Sequence, residues 1–283
     1  MNRSIDELDR IALQVRKDVI EMIHKAGSGH PGGSLSSVEI LVAIYFEILE
    51  PDDHFFLSNG HVCPALYAVM AEKGLIEKSL LDSYSSLDSP LQGHPERTRL
   101  RGIENTSGPL GLGLAQAAGY AAIKKNEYVY CMTSDGEHDE GNHWEAVNFA
   151  AKYKLSNLIQ FVDRNKIQIE GTTDEIMPLG NLKEKYEASD WNVIEIDGHN
   201  FEEISGAIVK SKSEKGKPTV VIANTVFGKG VSFMENNPDW HARVALVVER
   251  RVGAVTMAAP SGVPGPITVA TAMSIPPTGR NAI

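Results

Sequence analysis

The sequence predicts an α/β fold in which a parallel β-sheet is flanked by helices on both faces. Two short apolar runs, residues 128–132 and 158–162, have the composition of buried strands. Between them, apolar residues recur from Trp144 to Tyr153 at the three- and four-residue spacing of a helix. Strand, helix and strand in this order form a βαβ unit, whose strands are parallel neighbours. Their carboxyl ends therefore meet at the sheet edge where α/β proteins bind ligands.

Helices dominate the segment before this unit. Ser4 and Glu7 form a capping box at the start of an apolar helix, which ends near Gly27. Because residues 28–33 are rich in Gly and Pro, we predict an irregular loop there. The next predicted elements are a helix at 36–49, a strand at 55–57, a helix from Pro64, a short polar helix at 79–86, a loop at 92–96 and a small-residue helix at 112–125.

Strands and helices continue to alternate after the unit. We predict a strand at 191–196 and a further strand at 219–226, both from their apolar residues. Between them, Asn200 and Glu203 form a capping box for a helix that ends near residue 213. This alternation extends the predicted sheet beyond the central βαβ unit.

Residues 242–283 differ from the rest of the chain. They contain no Asp, Lys, His, Cys or aromatic residue, yet they contain five of the fourteen prolines. A Pro-, Gly- and Ala-rich composition predicts a weakly ordered extension. We therefore expect one domain at 1–241 and an atypical tail at 242–283.

Composition restricts the classes of function. The 283 residues suffice for a sizeable core, and the net charge of −10 argues against a general nucleic-acid binder. Only Cys63 and Cys131 are present, so a disulfide framework or a structural zinc site is not expected. The N-terminus has no signal-type apolar segment, and no apolar run has the length of a membrane span. These features predict a cytoplasmic protein that does not insert in membranes.

Two side chains at the ends of the central strands predict a metal site. Asp135 follows the first strand, and Asn165 follows the second strand 30 positions later. A carboxylate, an amide oxygen and nearby carbonyls are hard ligands suited to Mg²⁺ or Ca²⁺. Since two side chains cannot complete the coordination shell, a diphosphate is the natural source of further oxygens. Gly136 permits its close approach to the backbone.

Histidines mark a second set of candidate positions. Four of the nine follow a glycine at predicted loops, where a ligand can approach closely; they are His30, His61, His94 and His199. Near neutral pH, imidazoles offer a donor and an acceptor and can exchange protons with a ligand. For His199, which directly precedes a helix, we predict a structural role. The remaining histidines without a signature, expected at the surface or with satisfied hydrogen bonds, are His24, His54, His138 and His143.

These motifs resemble a known family. Ser-Asp-Gly at 134–136, followed by Asn165, resembles the thiamine diphosphate motif, although Ser134 stands where Gly is usual. Glu-Gly-x-x-Trp-Glu-Ala from Glu140 and Tyr-Lys-Leu-x-Asn-Leu-Ile from Tyr153 are similar to transketolase. Ser-Gly-His-Pro-Gly, Leu-Ser-Asn-Gly-His, Gly-His-Pro-Glu and Gly-Pro-Leu-Gly also match transketolase signatures. The resemblance covers residues 5–241 and implies the diphosphate-binding (PP) domain of the thiamine diphosphate-binding fold.

The resemblance implies a role for each matching residue. The metal ligands would be Asp135, Asn165 and the backbone carbonyl of Ile167. His30 and His94 would contact the hydroxyls of the donor ketose. Further cofactor contacts are implied for His61 and Gly136 at the diphosphate and for Gly108 and Leu110 against the aminopyrimidine. His241 would lie between diphosphate and substrate, and Glu140 would be a buried acid that couples the two active sites of a dimer.

The implied activity is transfer of a two-carbon ketol unit between sugar phosphates, as in the pentose phosphate pathway, with thiamine diphosphate and Mg²⁺ or Ca²⁺. The pyrimidine-binding and C-terminal domains of transketolase have no counterpart in these 283 residues. The chain therefore resembles the N-terminal subunit of a split enzyme, whose partner in a two-plus-two (α2β2) complex would be a C-terminal subunit. Two alternatives remain open: a subunit of 1-deoxyxylulose-5-phosphate synthase or 2-oxo acid dehydrogenase type, and a non-catalytic cofactor-binding subunit.

Overall fold

The protein is built around a five-stranded parallel sheet. The computed structural model describes residues 3–243, 255–257 and 267–269, so most of the predicted tail lies outside the described residues. The strand order is β1-β2-β3-β7-β6, with two separate antiparallel pairs, β4 with β5 and β8 with β9. The strands are β1 (His54–Leu57), β2 (Val129–Ser134), β3 (Leu158–Arg164), β4 (Ile167–Gln168), β5 (Gly171–Thr172), β6 (Asn192–Asp197), β7 (Thr219–Asn224), β8 (Val255–Met257) and β9 (Ile267–Val269).

Helices cover both faces of the sheet, as the sequence predicts. None of the helices in the described part of the chain is long and apolar enough to cross a bilayer. The helices are α1 (Ile5–Ala26), α2 (Pro31–Ser36), α3 (Val38–Ala43), α4 (Cys63–Glu72), α5 (Leu112–Ile123), α6 (Gly141–Lys152), α7 (Thr173–Ile176), α8 (Leu182–Ala188) and α9 (Phe201–Ser213). Shorter 3₁₀ turns lie at Gly60–Val62, Lys78–Ser83, Gly136–Asp139 and Pro238–Trp240.

The central strands separate two hydrophobic cores. Every residue of β2 is buried, and successive side chains point to opposite faces of the sheet. Tyr130 and Met132 pack in one core with α1, α3, α4 and α9. Val129 and Cys131 pack in the other core with α5 and α6. Burial on both faces explains why these strands are continuous apolar runs rather than alternating ones.

The N-terminal helical region differs from its prediction. Residues 28–33 do not form a loop throughout, because α2 begins at Pro31. Pro is compatible with the first helical turn, where no N–H is required. The predicted helix at 36–49 is instead α2, α3 and a π-helical turn, Ile44–Ile48. Packing explains Gly32, since a Cβ there would lie 2.0 Å from the ring of Phe227.

Smaller differences concern element ends and one helix type. The segment predicted as a polar helix at 79–86 is the 3₁₀ turn Lys78–Ser83. Helix α5 ends two residues earlier than predicted, at Ile123, and β7 ends at Asn224. Both cysteines are buried free thiols. These differences leave the predicted order of strands and helices intact.

Candidate active site

The two predicted metal ligands follow adjacent strand ends. Ser134 of β2 lies opposite Asp163 of β3, so Asp135 and Asn165 emerge at the same edge of the sheet. The Asp135 carboxylate is buried and accepts hydrogen bonds from the Lys166 amide at 2.7 Å and from the Arg164 guanidinium at 3.0 Å. Burial raises the pKa of Asp135 to about 7, although Arg164 opposes the shift. A divalent cation would favour the ionised form.

Hydrogen bonds fix the other two predicted ligands. The Asn165 side chain donates from Nδ2 to Asp163 Oδ2 at 3.1 Å, and its Oδ1 accepts from the Ile167 amide at 3.0 Å. Ile167 begins β4, which pairs with Thr172 of β5. Within the described residues no three His, Cys, Asp or Glu side chains form a metal cluster. The donors here are one carboxylate, one amide oxygen and one carbonyl, which fit a hard cation that also binds a diphosphate.

Four of the predicted histidines converge in one cleft beside this edge. His30 is the N-cap of α2, and its ring centroid lies 5.4 Å from that of His61 and 5.4 Å from that of His241. The centroids of His61 and His241 are 5.7 Å apart. His94 lies at the exposed rim, with its centroid 6.1 Å from that of His30. The fold thus brings together residues separated by up to 211 positions.

The cleft keeps these imidazoles neutral. Burial, together with His241 and His94, lowers the pKa of His30 to about 4. Burial also lowers the pKa of His61 well below its usual value and lowers those of His94 and His241. Nδ1 of His30 and Nδ1 of His241 are buried without a hydrogen-bond partner in the described structure. Since buried polar atoms are normally paired, these nitrogens fit a polar ligand.

Glycines permit the close packing of the cleft walls. A Cβ at Gly60, which precedes His61, would lie 2.5 Å from Ser107 Oγ. A Cβ at Gly33 would lie 3.3 Å from the Nε2 of His61. These contacts give both glycines a packing role beside His61.

The predicted aminopyrimidine segment lies against the same cleft. Gly108 has a φ of 150°, and a Cβ there would lie 3.7 Å from the ring of His94. The Leu110 carbonyl accepts a hydrogen bond from Asn142 Nδ2 at 3.2 Å. Gly136 lies at the turn after β2, beside Asp135. The structure therefore places Gly108 beside His94. The hydrogen bond from Asn142 joins Leu110 to the first turn of α6.

Sequence reasoning missed Glu137, which joins three segments of the site. Its buried carboxylate accepts hydrogen bonds from the Ser58 hydroxyl at 2.5 Å, the Gly111 amide at 2.8 Å and the Ser134 amide at 2.9 Å. Burial raises its pKa, and these donors oppose the shift. Glu137 thereby connects the end of β1, the segment before α5 and the turn that carries Asp135. No local pattern indicated burial of this acid among neighbouring polar residues.

Comparison with known proteins identifies the family of this chain. Residues 8–247 match the family described as transketolase, thiamine diphosphate binding domain. The chain belongs to the transketolase family. A 6-deoxy-6-sulfo-D-fructose transketolase subunit from a Clostridium species is 42% identical over 242 residues, covering 81% of this chain and 88% of the relative. An apulose-4-phosphate transketolase subunit from Actinobacillus succinogenes is 39% identical over 257 residues, covering 86% and 93% respectively.

Solved transketolases share the fold over part of their length. The Campylobacter jejuni enzyme superposes with a TM-score of 0.79 at 33% identity, covering 86% of this chain and 41% of that one. The Leishmania mexicana enzyme gives a TM-score of 0.78 at 30% identity, covering 83% and 39%. The chain thus spans about two fifths of these transketolases but most of the related subunits.

One predicted feature of this transketolase-family chain, the burial of Glu140 at a dimer contact, stays a prediction. Glu140 is exposed at the N-cap of α6, so it is not a buried acid within the chain. The acid buried beneath the same turn is Glu137. The two carboxylates are three residues apart, and the 3₁₀ turn Gly136–Asp139 directs them differently. Burial of Glu140 requires a surface from another chain.

The remaining histidines have internal partners or lie at the surface. His199 Nδ1 donates to Glu39 at 2.8 Å, and its Nε2 accepts from the Val226 amide at 2.8 Å, in agreement with a structural role. The α9 cap itself is Asn200. His138 and His143 are buried and both contact the Tyr186 hydroxyl, His54 contacts Glu104 and Glu127, and His24 is exposed.

Proposed function

We propose that this chain is the diphosphate-binding subunit of a two-subunit transketolase, which transfers a two-carbon ketol unit from a ketose phosphate to an aldose phosphate. One observation carries this proposal: neutral imidazoles surround His30 in a cleft beside the strand ends that bear Asp135 and Asn165. Xylulose 5-phosphate, a pentose phosphate pathway sugar, is the donor we expect. A cytoplasmic location remains the prediction from the sequence.

The cofactor would be thiamine diphosphate with Mg²⁺ or Ca²⁺. When bound, it supplies the electron sink for cleavage of a carbon–carbon bond. Asp135, Asn165 and the Ile167 carbonyl would bind the cation, whose charge offsets that of the diphosphate. His61 and the Gly136 backbone would lie at the diphosphate, and Gly108 and Leu110 would lie at the pyrimidine. Asp135 and Asn165 are buried, and burial would strengthen their electrostatic contacts relative to water.

The histidines would bind the substrate and transfer its protons. A neutral imidazole offers one donor and one acceptor, so each ring can bind a sugar hydroxyl in either sense. The low pKa of His30 prevents protonation at neutral pH and leaves the acceptor nitrogen available. His30 and His94 would bind ketose hydroxyls, and His241 would lie between substrate and diphosphate. The Phe227 ring lies nearly parallel to that of His241, with the ring centroids 6.3 Å apart.

Exposed apolar side chains support a partner surface beside the cleft. Helices α5 and α6 pack against each other. Helix α5 follows the segment that contains Leu110, and α6 follows the turn that carries Asp135. Their exposed apolar residues include Leu112 at 41%, Ile123 at 81% and Phe149 at 39%, and Tyr153 beyond α6 is 56% exposed. Patches of this kind commonly mark interfaces. We propose that a C-terminal, pyrimidine-binding subunit covers them in an α2β2 complex and buries Glu140.

The test is a coupled assay of ketol transfer from xylulose 5-phosphate to an aldose phosphate. We expect no turnover from the purified chain, since without a pyrimidine-binding subunit it would supply only the diphosphate side of the cofactor site. Addition of the complementary subunit should restore turnover and give a heterotetramer by native mass spectrometry. Full turnover by the chain alone would contradict the two-subunit proposal. A stable complex without turnover, in the presence of cofactor and Mg²⁺, would favour a non-catalytic subunit.

A further inference from the structure

Asp163, near the end of β3, lies in a ring of hydrogen-bond donors. Its side chain is fully buried, and no Lys, Arg or His of the described residues is paired with it. The hydroxyl groups of Ser36 and Ser37 donate to Oδ2 at 2.6 and 3.0 Å, and the Asn165 amide donates to the same oxygen at 3.1 Å. The Thr225 hydroxyl donates to Oδ1. Four side chains therefore converge on one buried carboxylate.

These donors come from three segments that each carry part of the site. The two serines lie at the end of α2 and just after it, and His30 caps the start of that helix. Asn165 follows β3, and Thr225 follows β7 at the start of the segment that leads to His241. Asp163 thus connects the histidine cleft with the metal-binding strand ends. None of these contacts was evident from the sequence.

The chemistry of a carboxylate decides the orientation of the Asn165 amide. The oxygen and nitrogen of an asparagine side chain are nearly equal in size, so hydrogen bonds determine which of them points where. Asp163 Oδ2 accepts from Asn165 Nδ2 at 3.1 Å, which places the Asn165 NH₂ against Asp163. The Asn165 oxygen consequently lies on the other side, where it accepts from the Ile167 amide at 3.0 Å. The preceding amide, that of Lys166, donates to Asp135.

We propose that Asp163 is a positioning residue, whose acceptor oxygen keeps the Asn165 amide oxygen turned toward the divalent cation. This inference rests on the proposed function, because it concerns the cation that would bind the diphosphate. Asp163 itself is not among the proposed ligands of the cation. Without the acceptor oxygen, the Asn165 NH₂ would be buried with one weak partner, Ser36 Oγ at 3.2 Å. The Ile167 amide would then be the main remaining contact that selects the binding orientation of the Asn165 amide.

Substitutions at Asp163 and Thr225 distinguish control of the Asn165 amide orientation from general support of the fold. Asp163→Ala removes the acceptor, and Asp163→Leu serves in its place if the alanine variant does not fold. Asp163→Asn keeps an acceptor oxygen for Asn165. The NH₂ of the substituted side chain can face the Thr225 hydroxyl, which accepts as well as donates. Thr225→Val is the matched control. It removes one hydrogen bond from the same carboxylate, at the oxygen that Asn165 does not use.

The measurement is Mn²⁺ affinity by electron paramagnetic resonance, with the full chain, thiamine diphosphate and the complementary subunit. We expect Asp163→Ala or Asp163→Leu to weaken Mn²⁺ binding about 10- to 100-fold, as loss of an outer-shell partner typically does. Asp163→Asn and Thr225→Val should remain within about threefold of wild type, although Thr225→Val lowers the unfolding temperature. Wild-type affinity in the Ala or Leu variant would overturn the role of Asp163 and leave the proposed function intact. Absence of Mn²⁺ binding by the wild type would overturn both.

Discussion

Replacement of His30 by alanine tests the central feature of the site. The lowered pKa of His30, about 4, means that about one ring in a thousand is protonated at pH 7. Its Nδ1 has no partner within the described chain, so the substitution breaks no hydrogen bond of that atom. If the ring binds a ketose hydroxyl in the transition state, its loss costs about 2–4 kcal/mol. We therefore expect turnover to fall roughly 30- to 1,000-fold.

The assay is ketol transfer from xylulose 5-phosphate by the assembled complex, with thiamine diphosphate affinity measured separately by calorimetry. Turnover per bound cofactor should fall, while cofactor affinity should change little, because His30 is not assigned to the diphosphate. His24→Ala is the matched control, since His24 is exposed on α1, outside the cleft. Unchanged turnover per bound cofactor, or a loss confined to cofactor affinity, would refute the assigned role.

Three further predictions follow from the same geometry. Asp135→Ala should abolish tight thiamine diphosphate binding, because it removes the only charged protein ligand of the cation; calorimetry showing an unchanged dissociation constant would contradict the metal site. Acidification from pH 6.5 toward pH 4 should lower the free energy of unfolding, because the unfolded chain then binds protons that buried His30 does not. Urea titrations should show a smaller acid loss for His30→Ala, and equal losses would argue against a depressed pKa. Gly32→Ala should cost about 1–3 kcal/mol in the same titrations, since its Cβ would lie 2.0 Å from the Phe227 ring; an unchanged midpoint would mean that Phe227 moves freely.

Local pattern determined the architecture of this protein. Buried parallel strands are continuous apolar runs and a long helix such as α1 is amphipathic, so the order of elements is visible without tertiary information. The same order placed Asp135 and Asn165 at one sheet edge, because both follow strands of a βαβ unit. The family resemblance then identified the matching histidines by motif. Four of those rings, at positions 30, 61, 94 and 241, do surround one cleft.

Tertiary packing alone decided which acids are buried and where the first helices begin. Glu137 and Glu140 are equally polar in the sequence, yet Glu137 is buried in the turn after Asp135 and Glu140 is exposed. Gly32 suggested a loop, but it lies in helix α2, where the Phe227 ring leaves no room for a Cβ. Asp163 is buried among hydroxyl groups contributed by residues 36, 37 and 225. Burial of a polar side chain depends on partners distant in the chain. The sequence pattern within a single helix or strand therefore cannot predict it.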